Sequence, residues 1–261
     1  MKDERIPTYL FDEAGLADLY GFIDCATLLA FDFDGTLVPI AATPDGIRVP
    51  PEIREELAKL VERATVAVIT GRARADAQAH IGFSPHFLIG NHGTEGLPGR
   101  EASEADFAKL ADHWERQVKE SLSASKSVGI IIENKGATVS VHYRASPNRA
   151  KARLEVLRAI GCLVPKPKVI SGKCVEDLVP ETAPDKGDAL LYLMNHCGYS
   201  KAFYAGDDKT DEDVFRLTGI QLFTVRVGKD APTRALYKLR NQGEMHRLLR
   251  EIGNALAGRA C

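Results

Sequence analysis

The sequence predicts an α/β fold: a parallel sheet with a smaller antiparallel α+β segment inserted into it. Three observations lead there. Apolar strand-like runs alternate with helix-spaced segments at both ends of the chain, the grammar of strand–helix–strand crossovers. The alternation breaks after about residue 97 and resumes near 181, with hairpin patterns between. Two apolar runs far apart in sequence, residues 26–30 and 202–205, end in acids, as strand ends do when they line the crevice of an open parallel sheet. The expected division is a core of residues 1–97 with 181–261 and an insertion of residues 98–180.

In chain order, a short helix over residues 11–20 precedes the first strand, which leads to Asp32. A Pro-rich loop over residues 39–51 follows, then a helix over 51–64 with Pro51 and Glu52 in its first turn, where a fixed φ and a negative charge both suit a helix start. Residues 65–70 form a buried strand, a helical stretch runs through His80, and a third strand occupies 87–90. In the insertion, the spacing predicts an amphipathic helix over 103–121 and a hairpin of strands 128–133 and 137–143 turning at Asn134-Lys135-Gly136. A helix over 147–160 and a second hairpin, 168–170 with 174–179, turning at Ser171-Gly172-Lys173, complete it. This small domain is expected to act as a lid. A helix over 185–195, a strand ending at Asp207, a short helix to Thr218, a strand over 221–227 and closing helices restore the parallel pattern.

Composition excludes several function classes. With 261 residues, 44% hydrophobic and 27% charged, the chain is of ordinary globular make-up, and a net charge of -2 leaves no basic footprint for nucleic acid or an acidic membrane. No apolar run approaches the ~20 residues of a membrane span, and the first residues lack a signal-peptide core, so a cytoplasmic monomer is expected. Cys25, Cys162, Cys174, Cys197 and Cys261 are widely spaced without a Cys-x-x-Cys pair, and read as plain thiols.

The chemistry sits at the strand ends. Asp32 and Asp34, two residues apart after an apolar run, repel each other unless a cation intervenes, and Mg²⁺ favours a few carboxylates plus water and phosphate. The Asp34-Gly35 dipeptide is also a hairpin signal, with Val38 and Ile40 continuing a second strand. Thr70 and Gly71 could hold an anion with hydroxyl and N–H donors, or Thr70 could simply cap a helix. Lys186 lies in a first helical turn, where the dipole disfavours a cation unless an anion is near; otherwise it is a solvated partner of Asp185 or Asp188. Asp207, Asp208 and Asp211 form the second acidic cluster. Together these suit phosphoryl transfer, which needs in-line positioning and charge cancellation. A P-loop sequence is absent.

Asp32-Phe33-Asp34-Gly35-Thr36, Thr70-Gly71-Arg72, Lys186 and Gly206-Asp207-Asp208 with Asp211 resemble, in order, the four motifs of the haloacid dehalogenase superfamily. With Asn91-His92-Gly93 and His142-Tyr143-Arg144, the chain more narrowly resembles trehalose-6-phosphate phosphatases. The resemblance implies a Rossmann-like core with an inserted cap of the C2 type, Mg²⁺ as cofactor and a small sugar phosphate as substrate. It implies Asp32 as nucleophile, Asp34 as acid and base, and Thr70 and Lys186 on the phosphoryl oxygens. Metal ligands would be the Asp32 carboxylate, the Asp34 carbonyl and Asp207, with Asp208 and Asp211 in support. Gly71, Arg72, Asn91 and His92 in the core, and Glu133, Lys135 and Asp177 in the cap, would bind substrate. The family pattern Glu-x-x-Pro is here Asp177-Leu178-Val179-Pro180, one methylene shorter, with Glu176 adjacent as a replacement through a register shift. Glu133 and Lys135 also read as a cross-strand ion pair. Sucrose 6-phosphate, a glucosylglycerol phosphate or a non-catalytic sugar-phosphate module are the competing expectations.

Overall fold

The computed structural model describes residues 6–40, 47–123, 128–228 and 232–258. The chain divides into two compact units, Met1–Leu97 with Pro184–Cys261, and Pro98–Ala183.

The first unit contains β1 (Thr8–Tyr9), α1 (Glu13–Phe22), β2 (Thr27–Phe31), α2 (Pro51–Val61), β3 (Val66–Ile69), α3 (Arg74–Ile81) and β4 (Phe87–Ile89). The second contains α4 (Glu101–Ser123), β5 (Ile131–Asn134), β6 (Val139–His142), α5 (Arg149–Gly161), β7 (Lys168–Gly172) and β8 (Val175–Val179). The first then resumes with α6 (Lys186–Cys197), β9 (Lys201–Gly206), α7 (Glu212–Phe215), β10 (Gln221–Val227), β11 (Tyr237–Leu239) and α8 (Met245–Ala257).

The sheet of the first unit runs β1-β11-β10-β9-β2-β3-β4, and every pairing is parallel. Its inner strands are buried on both faces, which is why they read as continuous apolar runs rather than alternating ones. Leu29, Phe31, Val68, Phe203 and Val225 join one cluster with Leu57 of α2 and Leu248 and Ile252 of α8. Leu28, Ala30, Ile69 and Tyr204 join another with Leu190 and Leu193 of α6 and Phe215 of α7. Fully burying each large apolar side chain contributes about 1.5–3 kcal/mol, so the two layers fix where each strand stops.

The hairpin alternative at Asp34-Gly35 fails. The carbonyl of Phe33 accepts from the backbone N–H of Leu37 at 2.9 Å and of Val38 at 3.0 Å, folding the segment into a turn, and no strand continues through Ile40. Part of the expected Pro-rich loop, residues 41–46, lies outside the described residues. The edge strands β1 and β11 were not expected from the sequence; at two and three residues they are too short to carry a periodic signal.

In the second unit, β5-β6-β8-β7 form an antiparallel sheet. Val139, Val141 and Leu178 pack against Trp114 and Val118 of α4 and Val156 of α5, and Trp114 donates its indole N–H to the carbonyl of Pro165 at 2.7 Å. The second hairpin turns one residue later than expected: Gly172 pairs with Val175, leaving Lys173 and Cys174 at the tip, with Cys174 at φ 65°.

The plain-thiol reading holds for Cys162, Cys174 and Cys197 but not for Cys25, which is disulfide-bonded; Cys261 lies outside the described residues. Single-residue spacing carries no information about pairing. Among the described residues, no helix is long and apolar enough to cross a membrane.

Candidate active site

The carboxyl ends of β2, β3 and β9 bring Asp32, Thr70 and Asp207 to one edge of the sheet. Register explains the alignment, because Phe31 pairs with both Val68 and Ala205, so the residues just beyond each strand emerge side by side. One carboxylate oxygen from each of Asp32, Asp207 and Asp211 lies within 4.8 Å of the others. Glycines permit the approach. Gly35 has φ +82°, and a Cβ there would fall 2.2 Å from Asp207 Oδ2, so the Asp-Gly pair serves the distant acid rather than a hairpin. A Cβ on Gly206 would likewise meet Asp211.

Lys186 is not a solvated lysine. It is the first residue of α6, whose N-cap Asp185 and Asp188 form a reciprocal capping box and are thereby occupied. The lysine side chain is 3% exposed, and its Nζ donates to Asp32 Oδ1 at 2.7 Å and Asp211 Oδ1 at 2.8 Å. Burial pulls its pKa down, but Asp211 and Asp32 outweigh burial and hold the ammonium above its usual range. Asp211 is further bonded: Tyr204 donates its hydroxyl to Oδ1 at 2.7 Å, and the N–H of Asp208 donates to Oδ2 at 2.8 Å.

Negative charge nevertheless exceeds positive charge in this cluster. Burial raises the Asp32 carboxyl well above the normal carboxylate range, Lys186 opposes that, and Asp211 and Asp207 add to it. Asp207 is pushed up to about 7 by burial and by Asp211 and Asp208. Its Oδ1 is buried and accepts no hydrogen bond. A buried carboxylate oxygen without a donor, beside two more acids, fits a hard divalent cation with oxygen preference. Asp208 differs: it is exposed, and its side chain accepts from the backbone N–H of Asp211 in a capping box.

Thr70 is no helix cap, since α3 begins at Arg74 with Ala73 before it, and the N–H of Arg74 donates to Glu95 Oε2 at 2.8 Å. The first turn of α3 is therefore already occupied by a carboxylate. Thr70 is 1% exposed, accepts from the N–H of Arg72 at 3.2 Å, and keeps its hydroxyl proton for another acceptor. Arg72 grips Asp34 through two bonds, Nε to Oδ2 at 2.6 Å and Nη2 to Oδ1 at 2.8 Å, and reaches Asp76 at 2.6 Å. Burial lowers its pKa while Asp34 and Asp76 raise it further, so it stays a cation.

Asn91 and His92 form a left-handed turn at φ 48° and 61°. The N–H of Asn91 donates to the carbonyl of Arg72 at 2.7 Å and that of His92 to Thr70 at 2.9 Å, clamping the 70–72 loop. The His92 ring lies against Gly71, where a Cβ would come within 2.5 Å of it. Asn91 is fully buried and donates its amide to Glu95 Oε2 at 2.9 Å.

In the second unit, Glu133, Ser140 and Asp177 face one another across β5, β6 and β8. Ser140 donates to Asp177, Lys135 Nζ lies 3.6 Å from Asp177, and His142 Nε2 pairs with Glu133 Oε2 at 2.8 Å, which with nearby Lys135 lowers the Glu133 pKa against the effect of burial. Glu133 is thus bonded to His142, with Lys135 acting on it at longer range. Glu176 is no substitute for Asp177: it points to the other face of β8, where Tyr143, Arg153 and Ser171 hydrogen-bond it. Tyr204 and Ser140 escaped notice, and His142 enters the sequence reading only as part of the His142-Tyr143-Arg144 motif, without a site role. Tyr204 hides in an apolar run, whereas Ser140 lies in register opposite both Glu133 and Asp177, and His142 is two residues along the same strand.

Against known proteins, a family model described as trehalose-phosphatase matches residues 30–239. The trehalose-phosphate phosphatase of Mycobacterium tuberculosis is 34% identical over 216 residues, which cover 78% of this chain and 54% of that protein; the chain spans about half the length of such relatives. Among solved structures, the C-terminal domain of Candida albicans trehalose-6-phosphate phosphatase matches with TM-score 0.73 at 20% identity, covering 96% of this chain and 99% of that one. The sucrose-phosphatase of Synechocystis, in complex with sucrose and phosphate, matches at TM-score 0.55 and 18% identity over 87% and 98%. At these identities the structural matches speak for the fold alone, an α/β core with a parallel sheet. The family match over most of the chain, joined to the acid, threonine and lysine set at the sheet edge, makes this chain a member of the trehalose-phosphatase family.

Proposed function

We propose that the chain is a Mg²⁺-dependent phosphatase that hydrolyses trehalose 6-phosphate to trehalose and phosphate. The observation that carries this reading is the buried group Asp32, Lys186, Asp207 and Asp211, in which Asp207 Oδ1 has no donor. Asp32, the Asp34 carbonyl and Asp207 would hold the metal, with Asp208 and Asp211 behind them. Bound there, Mg²⁺ supplies positive charge to the phosphoryl oxygens and offsets the repulsion among the acids.

The remaining work falls to side chains. Asp32 attacks phosphorus and forms an aspartyl-phosphate while the bond to the sugar oxygen breaks. Asp34 gives a proton to that oxygen. It then takes a proton from the water that attacks the phosphoryl group, releasing phosphate and restoring the Asp32 carboxylate. Lys186, held against Asp32, and the Thr70 hydroxyl meet the phosphoryl oxygens, with Gly71, Arg72 and His92 bordering them. Glu133, Lys135 and Asp177 take the sugar hydroxyls.

The substrate partner is thus a small sugar phosphate, acted on by a cytoplasmic monomer. A second reading keeps the chemistry and changes the sugar to sucrose 6-phosphate or a glucosylglycerol phosphate. Its support is Asp177, a short carboxylate already engaged by Ser140 and Lys135. The deciding experiment measures phosphate release from trehalose 6-phosphate with Mg²⁺ and with chelator. Mg²⁺-dependent release is expected; no release from any sugar phosphate would remove the enzyme reading.

A further inference from the structure

We propose that Tyr204 is a positioning residue for phosphoryl transfer: its buried hydroxyl fixes Asp211, and through Asp211 the ammonium of Lys186 against Asp32. The inference rests on the reading of Asp32 and Lys186 given above and adds a residue to it.

Tyr204 lies on β9, is 0% exposed, and sets its ring edge-on to Phe215 at 6.0 Å within an apolar cluster. Phenylalanine would fill that volume equally well. A hydroxyl buried among apolar groups costs free energy unless it is bonded, and this one is bonded to Asp211 Oδ1 at 2.7 Å. The hydroxyl therefore has its reason in Asp211.

Asp211 is fully buried and collects donors from separate elements: Lys186 Nζ from α6 and Tyr204 from β9 at Oδ1, and the N–H of Asp208 at Oδ2. A carboxylate offers about four acceptor positions, so these donors leave it little freedom to rotate. Lys186 has a long, flexible stem, and its Nζ is held at two points, Asp32 Oδ1 and Asp211 Oδ1. Asp211 is the fixed point, since Asp32 must move when it attacks phosphorus. Without the Tyr204 bond, Asp211 and the lysine gain rotational freedom, and a misplacement of ~1 Å at a reacting centre costs on the order of 100-fold in rate.

Tyr199 offers a matched control. Its hydroxyl donates to Thr65 Oγ1 at 2.7 Å, joining the end of α6 to the start of β3, the end of the sheet opposite the acids. The test compares Tyr204→Phe and Tyr199→Phe with the parent in Mg²⁺, reading kcat, KM, melting temperature and inhibition by orthovanadate. Tyr204→Phe should lower kcat by about 10- to 100-fold with KM within about threefold, and weaken vanadate inhibition by at least about tenfold. Tyr199→Phe should lose comparable thermal stability and keep kcat. A Tyr204→Phe protein with kcat and vanadate inhibition within about twofold of the parent would overturn the proposal, as would a kcat loss matched by Tyr199→Phe. If the parent hydrolyses p-nitrophenyl phosphate but not trehalose 6-phosphate, the sugar assignment fails and the Tyr204 test proceeds on the smaller substrate. A parent inactive on both overturns the site and the proposal together.

Discussion

The buried acids of the first unit and the Glu133–His142 pair of the second are built on opposite terms. In the first unit, the side chains of Asp32, Lys186 and Asp211 are 6%, 3% and 0% exposed, and each carboxylate is held by a charged or hydroxyl donor. In the second, the Glu133–His142 pair is 49% and 35% exposed, while Lys135 and Asp177 beside it are 13% and 10% exposed. Buried charges are costly to leave unpaired, so a change that strands one without any partner costs about 3–5 kcal/mol, whereas exposed pairs contribute about 0–1 kcal/mol. The buried cluster is therefore committed to one chemistry. The exposed Glu133–His142 pair can change at little cost to the fold.

The sharpest way to break this contrast is Asp32→Asn. It should lower turnover by more than about a thousandfold, since no other carboxylate stands in its place. Folding should survive: Lys186 keeps Asp211, and one of the mutually repelling acids is gone, so the melting temperature stays level or rises. Activity near the parent level would remove Asp32 as nucleophile.

Gly35→Ala tests whether the buried cluster tolerates a small change. Left-handed backbone at φ +82° costs an alanine about 1–2 kcal/mol, and its methyl group would displace Asp207. Loss of stability together with weakened Mg²⁺ binding by calorimetry is expected. Unchanged metal affinity would mean that Asp207 is free to move, contrary to the packing described.

Glu133→Ala addresses the second cluster. KM for trehalose 6-phosphate should rise about tenfold with kinetics on p-nitrophenyl phosphate unchanged, the loss of one or two charged hydrogen bonds. Equal losses on both substrates would give Glu133 a structural role instead.

The smallest effect is one of pH. Asp207 titrates at about 7 in the folded chain against an ordinary value near 3.8, so the folded state binds the extra proton between those limits. In chelator, the stability contributed by Asp207 then falls as pH rises through that window. Mg²⁺ should offset the fall, so the gap in melting temperature between metal and chelator widens from pH 5 to about pH 7. A gap independent of pH would contradict the cation reading of Asp207.

Much of this was legible in the sequence because the strands bearing the acids are buried on both faces. Leu28 to Phe31 and Ala202 to Ala205 can hardly be anything but inner strands, and the polar residue at each end then marks the sheet edge. What escaped depends on distance in space. Nothing beside Tyr204 in the chain announces that its hydroxyl reaches Asp211, and Arg72 gives no sign that its first partner is Asp34. Glu176 and Asp177 are adjacent in sequence but face opposite sides of a strand, so a register shift that exchanged them would turn every neighbour over as well. Edge strands of two or three residues carry no pattern to read.

The most direct measurement is phosphate release from trehalose, sucrose, glucose and mannose 6-phosphates by one preparation, with Mg²⁺ and with chelator. The account predicts Mg²⁺-dependent release with trehalose 6-phosphate preferred. Release that persists in chelator would contradict the metal reading of Asp32 and Asp207, and preference for another sugar would contradict the assignment of Glu133, Lys135 and Asp177.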